Sequence, residues 1–144
     1  MTDKSDYVVV SFSGGKDSTA MLLRMMEIGE HIDEVINTDT GMEFPGMYRH
    51  IDKVRSEVEK NGIRYTRLTH TESFEYMMLD YTVHSKKYGE YHGKGWPTPV
   101  IRWCTRYFKT DLIKHHLKPL SEKYNLIQCV GLAQDEERRR EREQ

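Results

Sequence analysis

The stretch Ser11-Phe12-Ser13-Gly14-Gly15-Lys16-Asp17-Ser18-Thr19 gathers the residues best suited to hold an anion. Paired glycines let phosphate oxygens approach the backbone, and a helix N-terminus aims free N–H groups and partial positive charge at them. Ser13, Ser18 and Thr19 offer hydroxyl hydrogens, and Lys16 offers a point charge. A simpler alternative is an ordinary capped helix with Asp17 or Ser18 as N-cap. Capping alone does not require two glycines, a lysine and three hydroxyls together. The stretch is not a Walker A loop, which needs GxxxxGK[ST]: Val10 stands where the first glycine belongs, and Asp17 follows the lysine.

The neighbouring elements fit a phosphate loop. Tyr7-Val8-Val9-Val10 reads as a buried strand, and Ala20–Ile28 as a helix closed by Gly29. A short second strand, Glu34–Asn37, runs into the polar turn Thr38–Pro45, at the edge where open α/β sheets bind ligands. Met47, Ile51, Val54 and Val58 keep helical spacing up to Asn61-Gly62, and Ile63–Leu68 reads as a third strand. The βαβαβ order implies a parallel sheet with right-handed crossovers. Phe74, Met77, Met78 and Tyr81 form a stripe of the kind that more often builds core than a cofactor box. From Val83 to Pro99 the periodicity vanishes, predicting either a lid over a binding site or a mobile insertion; its aromatics are of a type that stacks on bases. A long helix opens around Arg102 and carries Phe108, Leu112, Ile113, Leu117 and Leu120, with Pro119 predicting its end nearby. Leu126–Gly131 is a fourth strand. The charged tail from Gln134 reads as a solvated helix face, or as an arginine cluster that reaches a phosphate.

At 144 residues with formal net charge -1, the chain is one domain whose global charge advertises neither nucleic acid nor an acidic membrane. Mean hydropathy of -0.77 and the lack of a long apolar run predict a protein without a membrane span. The polar N-terminus has no signal-peptide core. Two cysteines, Cys104 and Cys129, suit a reducing cytoplasm. His115-His116 lack metal-ligand spacing with them. Cys104, near a helix start, is either a stabilised thiolate or a small packing residue.

Four segments together resemble a known family. Ser13–Ser18 is similar to the SGGxDS signature of the PP-loop ATP pyrophosphatases, the adenine nucleotide alpha hydrolase-like superfamily. Asp39-Thr40-Gly41 with Glu43-Phe44-Pro45 resembles the DTG…EFPET segment of phosphoadenosine phosphosulfate reductase-like proteins. Arg102-Trp103-Cys104-Thr105 with Lys109 is similar to their RWC[CT]xxxK segment. Gly131, Asp135, Glu136 and Arg140 resemble a final G-I-R-x-[DE]-E-S-x-x-R segment, in which Ala133 and Glu137 replace the usual Arg and Ser. The resemblance spans residues 7 to 140.

That resemblance implies an α/β, Rossmann-like three-layer sandwich with a mainly parallel sheet. The family order is 3-2-1-4-5; this chain supplies four strands, order 3-2-1-4, so it is either a short member or a fragment. It implies a single adenine-nucleotide-binding domain over residues 1–144 that takes ATP or a related nucleotide (PAPS or APS) with Mg²⁺. The implied nucleotide ligands are Ser11, Ser13, Gly14, Gly15, Lys16, Asp17, Ser18, Thr19, Asp39, Thr40, Gly131 and Arg140. Asp17 and Asp39 are the implied magnesium ligands, since a carboxylate beside polyphosphate needs an intervening cation. Asp17, Lys16 and Arg102 are the implied catalytic residues, with surface ion pairing as the alternative for Arg102. The implied activity is adenylyl or sulfur transfer to an unknown acceptor. An activated-sulfate reductase would need a C-terminal nucleophilic cysteine from elsewhere, and two cysteines cannot hold an iron–sulfur cluster. A non-catalytic nucleotide-binding module is the third class. A four-stranded sheet with an open edge predicts a homodimer or a partner domain.

Overall fold

The computed structural model describes residues 4–132. Four parallel strands form the main sheet: β1 (Asp6–Ser11), β2 (Glu34–Asp39), β3 (Arg64–Thr69) and, last in the chain, β6 (Asn125–Val130). Their spatial order is β3-β2-β1-β6, the order 3-2-1-4 implied by the resemblance. β1 pairs with β2 from Val9 opposite Glu34, and with β6 along its whole length from Asp6 opposite Asn125. The chain winds outward through β2 and β3 and then returns to the other side of β1. The reversal lies between β1 and β6, where open sheets of this kind leave a ligand crevice.

Helices cover both faces, and strand alternation decides which residues each face receives. Val10, Phe12 and Val35 point toward α1 (Lys16–Glu27) and α2 (Pro45–Lys60), where they bury with Leu22, Ile51, Val54 and Val58. The sheet's other face carries Glu34, which bonds His116 of α5 (Asp111–Lys123). Gly29 and Gly62 follow the ends of α1 and α2, and Pro45 opens α2 at its first turn, where its missing N–H costs nothing. A smaller apolar cluster joins Phe74 and Met77 of α3 (Phe74–Leu79) to Trp103 and Phe108, so the methionine and aromatic stripe is core.

Three local expectations are refined. The segment after Val83 is not structureless: β4 (Thr82–Ser85) and β5 (Gly89–His92) form an antiparallel hairpin. Its base is fixed to α3, because Lys94 and Gly95 donate backbone N–H groups to Met77 and Met78 carbonyls. The side chains of β5 are exposed, so no apolar alternation marked it in the sequence. The long helix expected from Arg102 is broken into α4 (Trp103–Thr105), a π-helical turn (Arg106–Thr110) and α5. Pro119 lies inside α5, which continues to Lys123. Among the described residues, no helix is long and apolar enough to cross a membrane.

Candidate functional site

The loop expected to bind phosphate connects β1 to α1 at the carboxyl edge of the sheet. Gly15 is the N-cap of α1, and no side chain caps the helix, in contrast to the capping alternative for Asp17 or Ser18. The first-turn N–H groups of a helix have no intrahelical acceptors, so this end presents donors to whatever lies before it. Gly14 has φ +82°, which glycine alone adopts without strain, and a Cβ there would lie 2.8 Å from Ile51 Cγ1. The turn is therefore pressed against α2 and held at one height above the sheet.

The hydroxyls of this loop brace it from within. Ser18, 6% exposed, donates to the Gly15 carbonyl at 3.1 Å and accepts the Ser13 backbone N–H at 3.2 Å. Since its own proton points to Gly15, the 3.0 Å contact between the two serine hydroxyls makes Ser13 the donor. Ser13 Oγ in turn accepts the Gly15 N–H at 3.3 Å. Thr19 donates to the same Gly15 carbonyl at 2.8 Å, so its 3.0 Å partner His50 carries the proton on Nε2. Thr19 thus faces α2. Ser13 and Ser18 line the cleft before α1, with their protons directed into the loop, which leaves backbone N–H groups as the anion donors of that wall.

The cleft itself measures about 640 Å³ and lies between the loop, the ends of β1, β2 and β6, and α5. Ser11, Ser13, Gly15, Asp17, Ser18 and Gly131 all line it. Gly131 sits where β6 runs under α1, and a Cβ there would be 2.7 Å from Ser18 N. Lys109 and Lys114 form the opposite wall. Lys114 was not among the expected ligands, although its spacing of five from Lys109 around the π-helical turn brings both to one cleft. Lys16 pairs with Asp17 at 2.8 Å, with its side chain 83% exposed.

Other expected ligands lie elsewhere. Asp39 and Thr40 line a neighbouring cleft of about 330 Å³ with His70 and Phe74. Asp39 Oδ1 accepts the Gly41 N–H and the Tyr48 hydroxyl, both at 2.8 Å. Burial, followed by that bond to Asp39, raises the Tyr48 pKa. Asp39 therefore organises the turn after β2, and it lines a different cleft from Asp17. Arg102 lines a third cleft, with Arg106, Asp111 and Lys114, that shares Thr110 and Lys114 with the loop cleft. Arg140, with Asp135 and Glu136, lies outside the described residues. Among the described residues no group of three His, Cys, Asp or Glu side chains is placed to hold a metal. A single carboxylate in a phosphate cleft nevertheless fits Mg²⁺, which uses one or two carboxylates and takes its remaining ligands from phosphate and water.

Neither cysteine lies among the residues lining the phosphate cleft. Cys104 packs against the Phe74–Trp103 cluster. Burial, with a smaller effect of Glu30, pushes the Cys129 thiol above its ordinary pKa.

Comparisons with known proteins identify a family. A family model described as the phosphoadenosine phosphosulfate reductase domain matches residues 7–144. An uncharacterized protein, MJ0066, of Methanocaldococcus jannaschii is 30% identical over 128 residues, which cover 87% of this chain. The matched part is 22% of that protein's length, so this chain corresponds to about a fifth of it. The chain belongs to the phosphoadenosine phosphosulfate reductase domain family.

Proposed function

We propose that this member of the phosphoadenosine phosphosulfate reductase domain family binds ATP or a close adenine nucleotide in the loop cleft and transfers an adenylyl group, or sulfur through an adenylylated intermediate, to an acceptor. One observation carries the reading: the uncapped, glycine-led end of α1 opens into a cleft of about 640 Å³ whose far wall carries Lys109 and Lys114. That volume lies within the range of small-molecule sites. Backbone donors on one wall and ammonium groups on the other suit a polyphosphate lying between them.

The chemistry follows from that placement. A nucleophilic oxygen or sulfur of the acceptor forms a bond to the α-phosphorus as the bond to the bridging oxygen breaks, and pyrophosphate leaves with the electron pair. The loop N–H groups hold the departing phosphates. Lys109 and Lys114 offset the negative charge that builds on them, which is the largest contribution a preorganised site makes. Asp17 is the carboxylate positioned to hold Mg²⁺ that arrives with the nucleotide. The cation supplies charge neutralisation and orientation when bound. The cleft at Arg102, which shares Thr110 and Lys114 with the loop cleft, provides an approach for the acceptor.

Calorimetric titration of the protein with Mg-ATP, AMP, adenylylsulfate and its 3′-phosphorylated form tests binding, and pyrophosphate release tests turnover. Mg-ATP is expected to bind, and Lys109→Ala is expected to weaken it by roughly tenfold, corresponding to one charged contact. Asp17→Asn is expected to abolish pyrophosphate release. Full affinity in Lys109→Ala together with Gly14→Val would remove the site assignment. Sulfite release from an activated sulfate with thioredoxin, dependent on Cys104, would replace transfer by reduction.

A further inference from the structure

Net charge conceals a separation of charge along this chain. Residues 82–118 carry eight Lys and Arg against Glu90 and Asp111, a formal +6, which leaves the remainder at -7. Ring contacts and shared clefts join much of this charge into one surface. Lys94, at the base of the hairpin, lies 4.8 Å over the Tyr107 ring, and the Arg106 guanidinium lies 5.5 Å from the same ring. Arg106 lines the third cleft with Arg102 and Lys114, and Lys114 and Lys109 lead into the phosphate cleft. Asp111 is the carboxylate on this path, 3.4 Å from Arg106.

Aromatic rings accompany the cations and stay largely exposed, although Trp96 meets Phe74 edge-on at 6.2 Å and Lys87 lies over the Tyr88 ring. Trp96 is 66% exposed and Tyr88 is 70% exposed. The hairpin exposes every residue of β5, and an isolated two-stranded hairpin has little stability of its own. A small anion would fill one cleft and leave this path unused. An extended strand of phosphates with unstacked bases would use both its charge and its rings.

We propose that residues 82–114 form a binding surface for single-stranded nucleic acid, with phosphodiesters along Lys94, Arg106, Arg102 and Lys114 and bases stacked on Trp96 and the hairpin tyrosines. This surface does not rest on ATP binding, since it is defined by residues outside the loop. It places a polyanion beside the phosphate cleft, where Lys114 belongs to both.

The test is direct binding of a 5′-labelled 16-nucleotide single-stranded RNA of mixed sequence to the full chain, without nucleotide, read by anisotropy and by tryptophan emission. Neutralisation of four phosphates gives a salt slope of about -2.8 and roughly a 50-fold loss of affinity from 50 to 200 mM KCl. The Arg102→Gln/Arg106→Gln variant is expected to flatten that slope by about 1.4 and to bind roughly tenfold more weakly at 50 mM KCl. Unchanged far-UV circular dichroism and Tm would establish that it folds. Trp103 is buried, so quenching of the exposed Trp96 is expected to dominate the emission change and to vanish in Trp96→Phe. Absence of binding at 50 mM KCl would overturn the proposal. So would binding whose slope and quenching survive both variants, because the RNA would then sit elsewhere on the chain. Equal affinity for a 16-base-pair duplex would overturn the single-stranded assignment.

Discussion

Replacing Gly131 with alanine tests whether the fold itself sets the height of the loop before α1. The added Cβ would lie 2.7 Å from Ser18 N, 2.8 Å from Ser18 Cα and 2.9 Å from Asp17 C. All three are backbone atoms, so no side-chain rotation relieves the contact. Ordinary contact begins near 3.4 Å, so α1 and the end of β6 must separate by about 0.7 Å. Overpacking of this kind costs roughly 1–3 kcal/mol, which for a chain of this size lowers Tm by roughly 3–10 °C. The displaced atoms belong to the first turn of α1, whose N–H groups face the cleft, and a misplacement approaching 1 Å costs up to about 100-fold in rate. Gly131→Ala is therefore expected to lose both stability and nucleotide affinity. Gly15→Ala supplies the comparison: Gly15 has φ -72°, and its Cβ would lie an ordinary 3.4 Å from Ser13 Oγ. Thermal unfolding and Mg-ATP calorimetry on both variants separate the two effects. A Gly131→Ala protein with wild-type Tm and affinity would show that β6 does not position α1, and the argument from contact would fail.

Three further outcomes are expected. Ser18→Ala removes an acceptor from the Ser13 N–H and a donor from the Gly15 carbonyl, and is expected to cost roughly 1–3 kcal/mol in urea unfolding; a change below a few tenths would contradict the bracing role. Buried Glu34 accepts hydrogen bonds from Tyr7 and Thr66 and pairs with His116 and Arg64, joining β1, β2, β3 and α5. Glu34→Gln is expected to destabilise by roughly 1–3 kcal/mol, and an unaltered urea midpoint would show that the charge is dispensable. The Tyr65 hydroxyl is buried without a hydrogen-bond partner among the described residues, and burial pushes its pKa up to about 12 despite the opposing charge of Arg67. Because the folded value exceeds the unfolded one near 10, this group's contribution is intact below pH 10 and lost as pH rises toward 12. Tyr65→Phe is expected to be neutral or stabilising at pH 7 and to lessen the decline between pH 10 and 12; parallel decline in both proteins would refute the assignment.

Local sequence determined the elements of this protein. The strand at Tyr7, the helix ended by Gly29 and the apolar spacing from Met47 to Val58 encode periods of two and 3.6 within a few residues, so each element could be placed without its neighbours. The glycine pair marked the tight turn before α1 for the same reason, since backbone approach is a local requirement. The hairpin after Val83 escaped because its exposed residues needed no alternation. Which walls face the loop was decided only by tertiary structure. Asp39 ends the strand adjacent to β1, yet it lines a different cleft and holds its own turn. Lys109 and Lys114 line the loop's cleft because the chain, on its return to β6, lays the π-helical turn and α5 across the sheet face that carries Glu34. The loop hydroxyls looked like phosphate donors by type, but the acceptors of their protons lie within the folded turn, and Thr19 itself accepts from His50 of α2. Residue type fixes what a side chain is able to do, while packing across long sequence separations fixes what it meets.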